Sequence, residues 1–145
     1  MYILVKLLHK ILMIKKINRK SLLIRESGRS TDFISPSFGY GCLYNCSYCY
    51  MKRYLKKGLS IAKNTGEILT SINNHVTWLP KKEPNQTDNK YWTYDISCNE
   101  DFALHHKYHN WKTIFDFFKN HNKAKGSFAT KYIPKEFLTY NPNKK

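Results

Sequence analysis

Three strand-like runs separated by two helix-patterned stretches predict an α/β protein built on a parallel sheet with right-handed crossovers. The runs are residues 33–40, 91–97 and 127–132, each short and containing aromatic or β-branched residues. Between them apolar residues recur twice at helical spacing, first as Ile68, Leu69, Ile72, Val76 and Leu79, then as Trp111, Ile114, Phe115 and Phe118. Strands joined by crossover helices lie parallel, and 145 residues are enough to bury one core.

Along the chain, residues 33–40 form the first strand and hand the next segment to its C-terminal edge. Residues 51–57 continue as a short basic helix. The second helix follows Gly66 and Glu67, buries the face that runs from Ile68 to Leu79, and is closed by Pro80. A polar connection, residues 80–90, leads to the second strand, 91–97, which delivers Cys98 to a strand end. Residues 101–110 read as an exposed loop and helix start, so His105, His106 and His109 are assigned no ligand role. The Trp111 stripe is a core-packing helix face. Residues 127–132 make the third strand, and Pro134, suited to a first turn, opens a helix over 134–138. Ligands of open α/β sheets bind at the C-terminal edge, where the loop after the first strand, Cys98 and Lys131 are all expected.

The first 26 residues are read as a separate extension, 1–26, ahead of a domain spanning 27–145. Lys6, His9 and Lys10 interrupt the apolar run at 1–14, which falls short of the roughly 20 residues a membrane span needs. No small-residue cleavage site follows it, and no membrane partner is expected. Two readings stay open: an upstream extension with Met13 as the start, which is preferred, or a basic amphipathic arm.

The chemistry is concentrated in Gly41-Cys42-Leu43-Tyr44-Asn45-Cys46-Ser47-Tyr48-Cys49-Tyr50. Three thiolates at C-x3-C-x2-C spacing can hold three irons of a [4Fe–4S] cluster and leave the fourth iron open to a reacting ligand. A structural zinc site takes four ligands, and the candidates for a fourth, Cys98 or His75, lie far downstream at no familiar spacing. A disulfide framework fits less well, with three of four cysteines in one loop and no secretory signal. Free thiols imply a reducing compartment, so a cytoplasmic location is expected.

A C-x3-C-x2-C loop with Tyr48 just before its last cysteine resembles the signature of the radical S-adenosylmethionine superfamily. That resemblance implies a full or partial (β/α) barrel and S-adenosylmethionine chelated to the open iron, where an electron from the cluster cleaves the sulfonium to a 5′-deoxyadenosyl radical. The wider order of motifs is Gly41-Cys42, Cys46-Ser47-Tyr48-Cys49-Tyr50, Cys98-Asn99-Glu100-Asp101 and Thr130-Lys131-Tyr132. Over residues 27–132 it is similar to the spore photoproduct lyase family among the DNA-repair-type members. The resemblance implies that Cys42, Cys46 and Cys49 bind iron, that Cys98 returns a hydrogen atom to a product radical, and that Tyr48 and Tyr50 pass that hydrogen equivalent onward. Asn99, Glu100 and Lys131 are implied to meet the cofactor. Glu100 departs from the family pattern, which has a small hydroxyl residue there; a carboxylate can accept hydrogen bonds from the cofactor's ammonium or ribose. Glu100 and Lys131 are therefore expected to bracket the cofactor, with Tyr48 packed inward.

A closed (β/α)8 barrel takes roughly 200 residues or more. The chain is accordingly expected to hold about the first three βα units of an incomplete barrel, from a truncated, frameshifted or split gene, with the C-terminal half encoded separately in the last case. A net charge of +15, from 25 basic and 10 acidic residues, suits a polyanion such as DNA. The same lysine-rich composition also arises as a habit of AT-rich genomes. If the substrate is a lesion in a duplex, it must be flipped from the stack to reach a radical inside a barrel, and a reductant such as flavodoxin or ferredoxin is implied. The alternative to a lyase-like enzyme is an inactive fragment, or a non-catalytic iron–sulfur or zinc protein associated with nucleic acid.

Overall fold

The computed structural model describes residues 2–44, 46–49 and 58–142. Within them, helix α1 spans Tyr2–Leu12, followed by strands β1 (Ile14–Ile17), β2 (Arg25–Glu26), β3 (Phe33–Ile34), β4 (Gly39–Cys42) and β5 (Gly58–Ala62). Then come α2 (Thr65–Thr77), β6 (Trp92–Asp95), a 3₁₀ turn at His106–Tyr108, α3 (Trp111–Asn120), β7 (Ala124–Ser127) and α4 (Lys135–Leu138).

The strands form two mixed sheets. One has the order β1-β5-β4, with β1 parallel and β4 antiparallel to β5. The other runs β2-β3-β6-β7, with β3, β6 and β7 parallel and β2 antiparallel at the edge. The expected α/β class is met, but an all-parallel sheet is not.

Residues 33–40, expected as one strand, are two strands in different sheets. Pro36 between them has no N–H for a ladder, and Ser35 turns its hydroxyl to the Asp95 carbonyl at 3.0 Å. The third parallel strand lies earlier than residues 127–132, at Ala124–Ser127, in register with Trp92–Asp95. Residues 130 and 131 are instead taken up by Asp101, whose carboxylate accepts from the Thr130 hydroxyl and from the Lys131 N–H at 3.0 Å. Residues 51–57, expected as a basic helix, lie outside the described residues. Within the segment 1–26, β1 lies against β5 and β2 against β3.

Helix α2 buries Ile68, Leu69, Ile72 and Val76, and α3 buries Ile114 and Phe118, as their spacing requires. These faces share one core with Phe33 of β3, Tyr94 of β6 and Ala124 of β7. Each fully buried large apolar side chain contributes about 1.5–3 kcal/mol, and the shared core holds the three parallel strands in line. Tyr94, fully buried, sets its hydroxyl 2.8 Å from His75 Nδ1 on α2, so its polar end is satisfied. Lys82, in the polar connection after α2, is buried against Asp32 at 2.6 Å. Among the described residues no helix is long and apolar enough to cross a membrane.

Candidate functional site

Three segments meet beyond the ends of β4, β6 and β7. Strand β4 ends on Cys42, which pairs directly with Gly58 at the start of β5, so the cysteine segment connects an antiparallel pair. Gly41 permits the approach: its φ is 98°, and a Cβ there would run into the Gly58 carbonyl. The Gly41 N–H donates to the Asn99 carbonyl at 3.0 Å, which ties the cysteine segment to the turn after β6. Asn99 Nδ2 donates in turn to Ser37 Oγ at 2.9 Å. Asp101 completes the junction by holding Thr130 and Lys131, just past β7.

Cys42, Cys46 and Cys49 are free thiols, each partly buried. Cys42 Sγ accepts from the Tyr44 N–H at 3.4 Å and lies 3.8 Å from His105 Nε2. Burial pushes the Cys42 thiol pKa up; the Tyr44 bond opposes this, and the negative fields of Cys46 and Cys49 add to it. Among the described residues, no three His, Cys, Asp or Glu side chains are gathered closely enough to hold a metal ion. The donor set nevertheless fits an iron–sulfur cluster, since three unpaired thiols are carried on one short segment.

The segment 101–110, expected as an exposed loop, is buried: Phe102, Ala103, His105 and His106 are 4% exposed or less. Aromatic packing accounts for this, because Phe102 contacts Phe38, His109, Phe115 and Phe128. The network sets His105 Nδ1–H as donor to the Asp101 carbonyl at 3.0 Å, leaving the Nε2 lone pair to accept the Leu43 N–H at 3.4 Å. Burial pulls the His105 pKa down to about 4, so this ring is neutral at pH 7. Sequence reasoning missed the contact, which joins residues 63 apart. A cavity of about 280 Å³ opens beside it, lined by Leu43, Tyr44, His105, Tyr108 and Tyr132 among others.

Lys131 is exposed, with Nζ 4.6 Å from the centre of the Tyr48 ring. Its slight burial opposes the charge, but the fields of Cys46, Tyr48 and Cys49 outweigh that and raise its pKa. Tyr48 is 73% exposed beneath this cation rather than packed inward. Tyr50 lies outside the described residues. Cys98 is half-buried past β6, on the side of Asp95 and Arg25; burial and the Asp95 charge raise its pKa while Arg25 lowers it. Glu100 faces the interior: its carboxylate has no exposure, lies 2.8 Å from His109 Nε2, and fills the space where a Cβ at Gly39 would stand. The structure thus sets Lys131 beside Tyr48, Cys46 and Cys49, joins Asn99 to the cysteine segment through the backbone, and turns the Glu100 carboxylate to the interior.

These features define an α/β protein with a trio of free thiols beside the ends of its parallel strands. The sequence profile described as spore photoproduct lyase matches residues 8–143, and the chain belongs to that family. No curated protein sequence matches it. Among solved structures, spore photoproduct lyase complexed with dinucleoside spore photoproduct is 21% identical with a TM-score of 0.67. A variant with bound AdoMet and dinucleoside spore photoproduct is 19% identical at 0.67, and a further variant 18% identical at 0.68. Each match covers 82% of this chain and 33% of the solved chain, so the chain spans one third of the length of the structures it resembles.

Proposed function

We propose that the chain forms the cluster-binding region of a radical S-adenosylmethionine enzyme of the spore photoproduct lyase type, acting on damaged DNA. The observation that carries this is the trio of free thiols Cys42, Cys46 and Cys49 on one short segment in a member of that family. In this reading β3, β6 and β7, with crossovers α2 and α3, are the opening strands of a partial (β/α) barrel. The matched lyases are longer, so the DNA lesion, a flavodoxin- or ferredoxin-like reductant and a cytoplasmic setting belong to the proposal for the whole protein.

Cys42, Cys46 and Cys49 would hold a [4Fe–4S] cluster, and Lys131 and Asn99 would contact S-adenosylmethionine; together the two groups supply one-electron chemistry for abstracting a hydrogen atom. Lys131 offers a cationic donor to a carboxylate, and Asp101 fixes its backbone. Cys98, its pKa raised by burial and by Asp95, keeps its hydrogen on sulfur at neutral pH, the state a hydrogen-atom donor needs. Tyr48 and Tyr50, flanking Cys49 in sequence, carry the hydrogen equivalent onward. Glu100 supports the site from the interior by setting β4 against the turn after β6.

Anaerobic reconstitution with iron and sulfide tests this. The parent chain should take up about four irons, and Cys42→Ala, Cys46→Ala and Cys49→Ala should each lose the brown chromophore while Cys98→Ala retains it. Full iron and sulfide content in Cys42→Ala would refute the assignment.

A further inference from the structure

A second cleft, of about 270 Å³, has a lining that includes Arg19, Arg25, Ser35, Ser37 and Asn99. Alternation along residues 19–25 builds one wall: Leu22 and Ile24 pack toward the core, while Arg19, Ser21, Leu23 and Arg25 line the cleft. No carboxylate is among the described residues that line it. Arg19 is held at its backbone by a reciprocal pair with Asn64, its N–H donating to Asn64 Oδ1 at 2.7 Å and its carbonyl accepting from Asn64 Nδ2 at 3.0 Å. Its guanidinium Nε is buried and has no hydrogen-bond partner. A buried N–H with no acceptor is costly, and the guanidinium that carries it keeps its full charge for an anion in the cleft.

Of the two serines in the rest of the lining, Ser35 already donates its hydroxyl to the Asp95 carbonyl at 3.0 Å. Ser35 and Ser37 are 3% and 2% exposed. Ser37 Oγ accepts from Asn99 Nδ2, which leaves its own proton for a ligand. Arg25 is exposed at the mouth, and its charge acts on the Cys98 thiol, so the cleft adjoins that residue.

We propose that this cleft binds a phosphodiester of a nucleic-acid strand, with Arg19 and Arg25 as its cationic contacts and Ser37 as a hydroxyl donor, beside Cys98. Two guanidiniums with hydroxyl and amide donors in one lining are the donor set that planar, multidentate phosphate recognition uses. The net charge of +15 favours a polyanionic strand over a lone small anion. The inference deepens the lyase-like reading by naming how the strand is gripped next to the hydrogen donor.

The test follows the arginine Nε–H resonances of the unaltered, cluster-free chain by NMR at about 150 mM salt, where exposed charges are screened. Three probes are added separately: inorganic phosphate, a dithymidine monophosphate, and the same dinucleoside with a neutral methylphosphonate linkage. The Arg19 resonance should shift saturably with the monophosphate, and the neutral analogue should bind at least about tenfold more weakly. Arg19→Met and Arg25→Met should each weaken the monophosphate by about tenfold. A shift with inorganic phosphate as well supports the same anion chemistry, whereas a shift with inorganic phosphate alone overturns the strand assignment. Absence of any Arg19 shift, or equal binding by both variants, overturns the site. Because no cluster is needed, failure here leaves the iron assignment standing, and failure of reconstitution leaves this result interpretable.

Discussion

A Cβ at position 39 would stand where the Glu100 carboxylate lies, so a larger residue there must displace a buried side chain that is bonded to His109. Gly39→Ala should therefore cost about 1–3 kcal/mol, the usual penalty of overpacking, read as a lower urea midpoint at unchanged slope. Lys131→Glu reverses the charge beside Cys46, Cys49 and Tyr48. It should weaken the response of the reconstituted cluster to S-adenosylmethionine while leaving iron content unchanged, and an undiminished response would reduce Lys131 to a solvated charge. The cysteine segment stood out in the sequence because its spacing is local, and the approach of Lys131 to it could be anticipated because its neighbours formed a motif. That of His105 could not, since its ring reaches Cys42 from 63 residues away and no local pattern encodes that. Glu100 was equally opaque: its residue type suggests a solvent-facing acceptor, while Gly39 and His109 turn it inward.

At the scale of elements, α2 and α3 could be read directly because apolar residues at 3.6 spacing have one way to be buried. Ile114→Ala, at a fully buried position of α3, should cost about 2–5 kcal/mol in equilibrium unfolding. Short strands carry no such periodicity. The two-residue strands β2 and β3 owe their pairing to partners elsewhere, and the break at Pro36 divided what looked like one run. The connection between α2 and β6 hides another long-range feature, the Lys82–Asp32 pair, whose side chains are 1% and 7% exposed. Burial pushes the Asp32 carboxyl up, but Lys82, Thr93 and Asn85 outweigh it and hold its pKa well below the carboxylate range. The stability this supplies is fully present above the ordinary carboxylate pKa of about 4 and lost as pH falls from there toward the depressed native value. Asp32→Asn should leave Lys82 buried without its counter-charge and cost about 3–5 kcal/mol. It should also flatten the acid limb of a stability-against-pH curve, and an unchanged limb would show that the pair is not linked to folding.

At the scale of the whole molecule, two mixed sheets sharing short hydrogen-bonded bridges bring the ends of β4, β6 and β7 together. The parallel run β3-β6-β7 was legible from strand–helix alternation, whereas the antiparallel β4–β5 pair was not, because its connection is the cysteine segment itself. That segment is thus anchored by Cys42 opposite Gly58 and by Gly41 on Asn99, with Lys131 over the Tyr48 ring. The central claim is that this arrangement holds a cluster with one iron free for S-adenosylmethionine. Electron paramagnetic resonance of the anaerobically reconstituted and reduced chain, recorded before and after adding S-adenosylmethionine, tests it most directly. A reduced [4Fe–4S] signal that changes on addition of the cofactor is expected; failure to form the cluster, or a signal indifferent to S-adenosylmethionine, would rule out a cluster with an open iron.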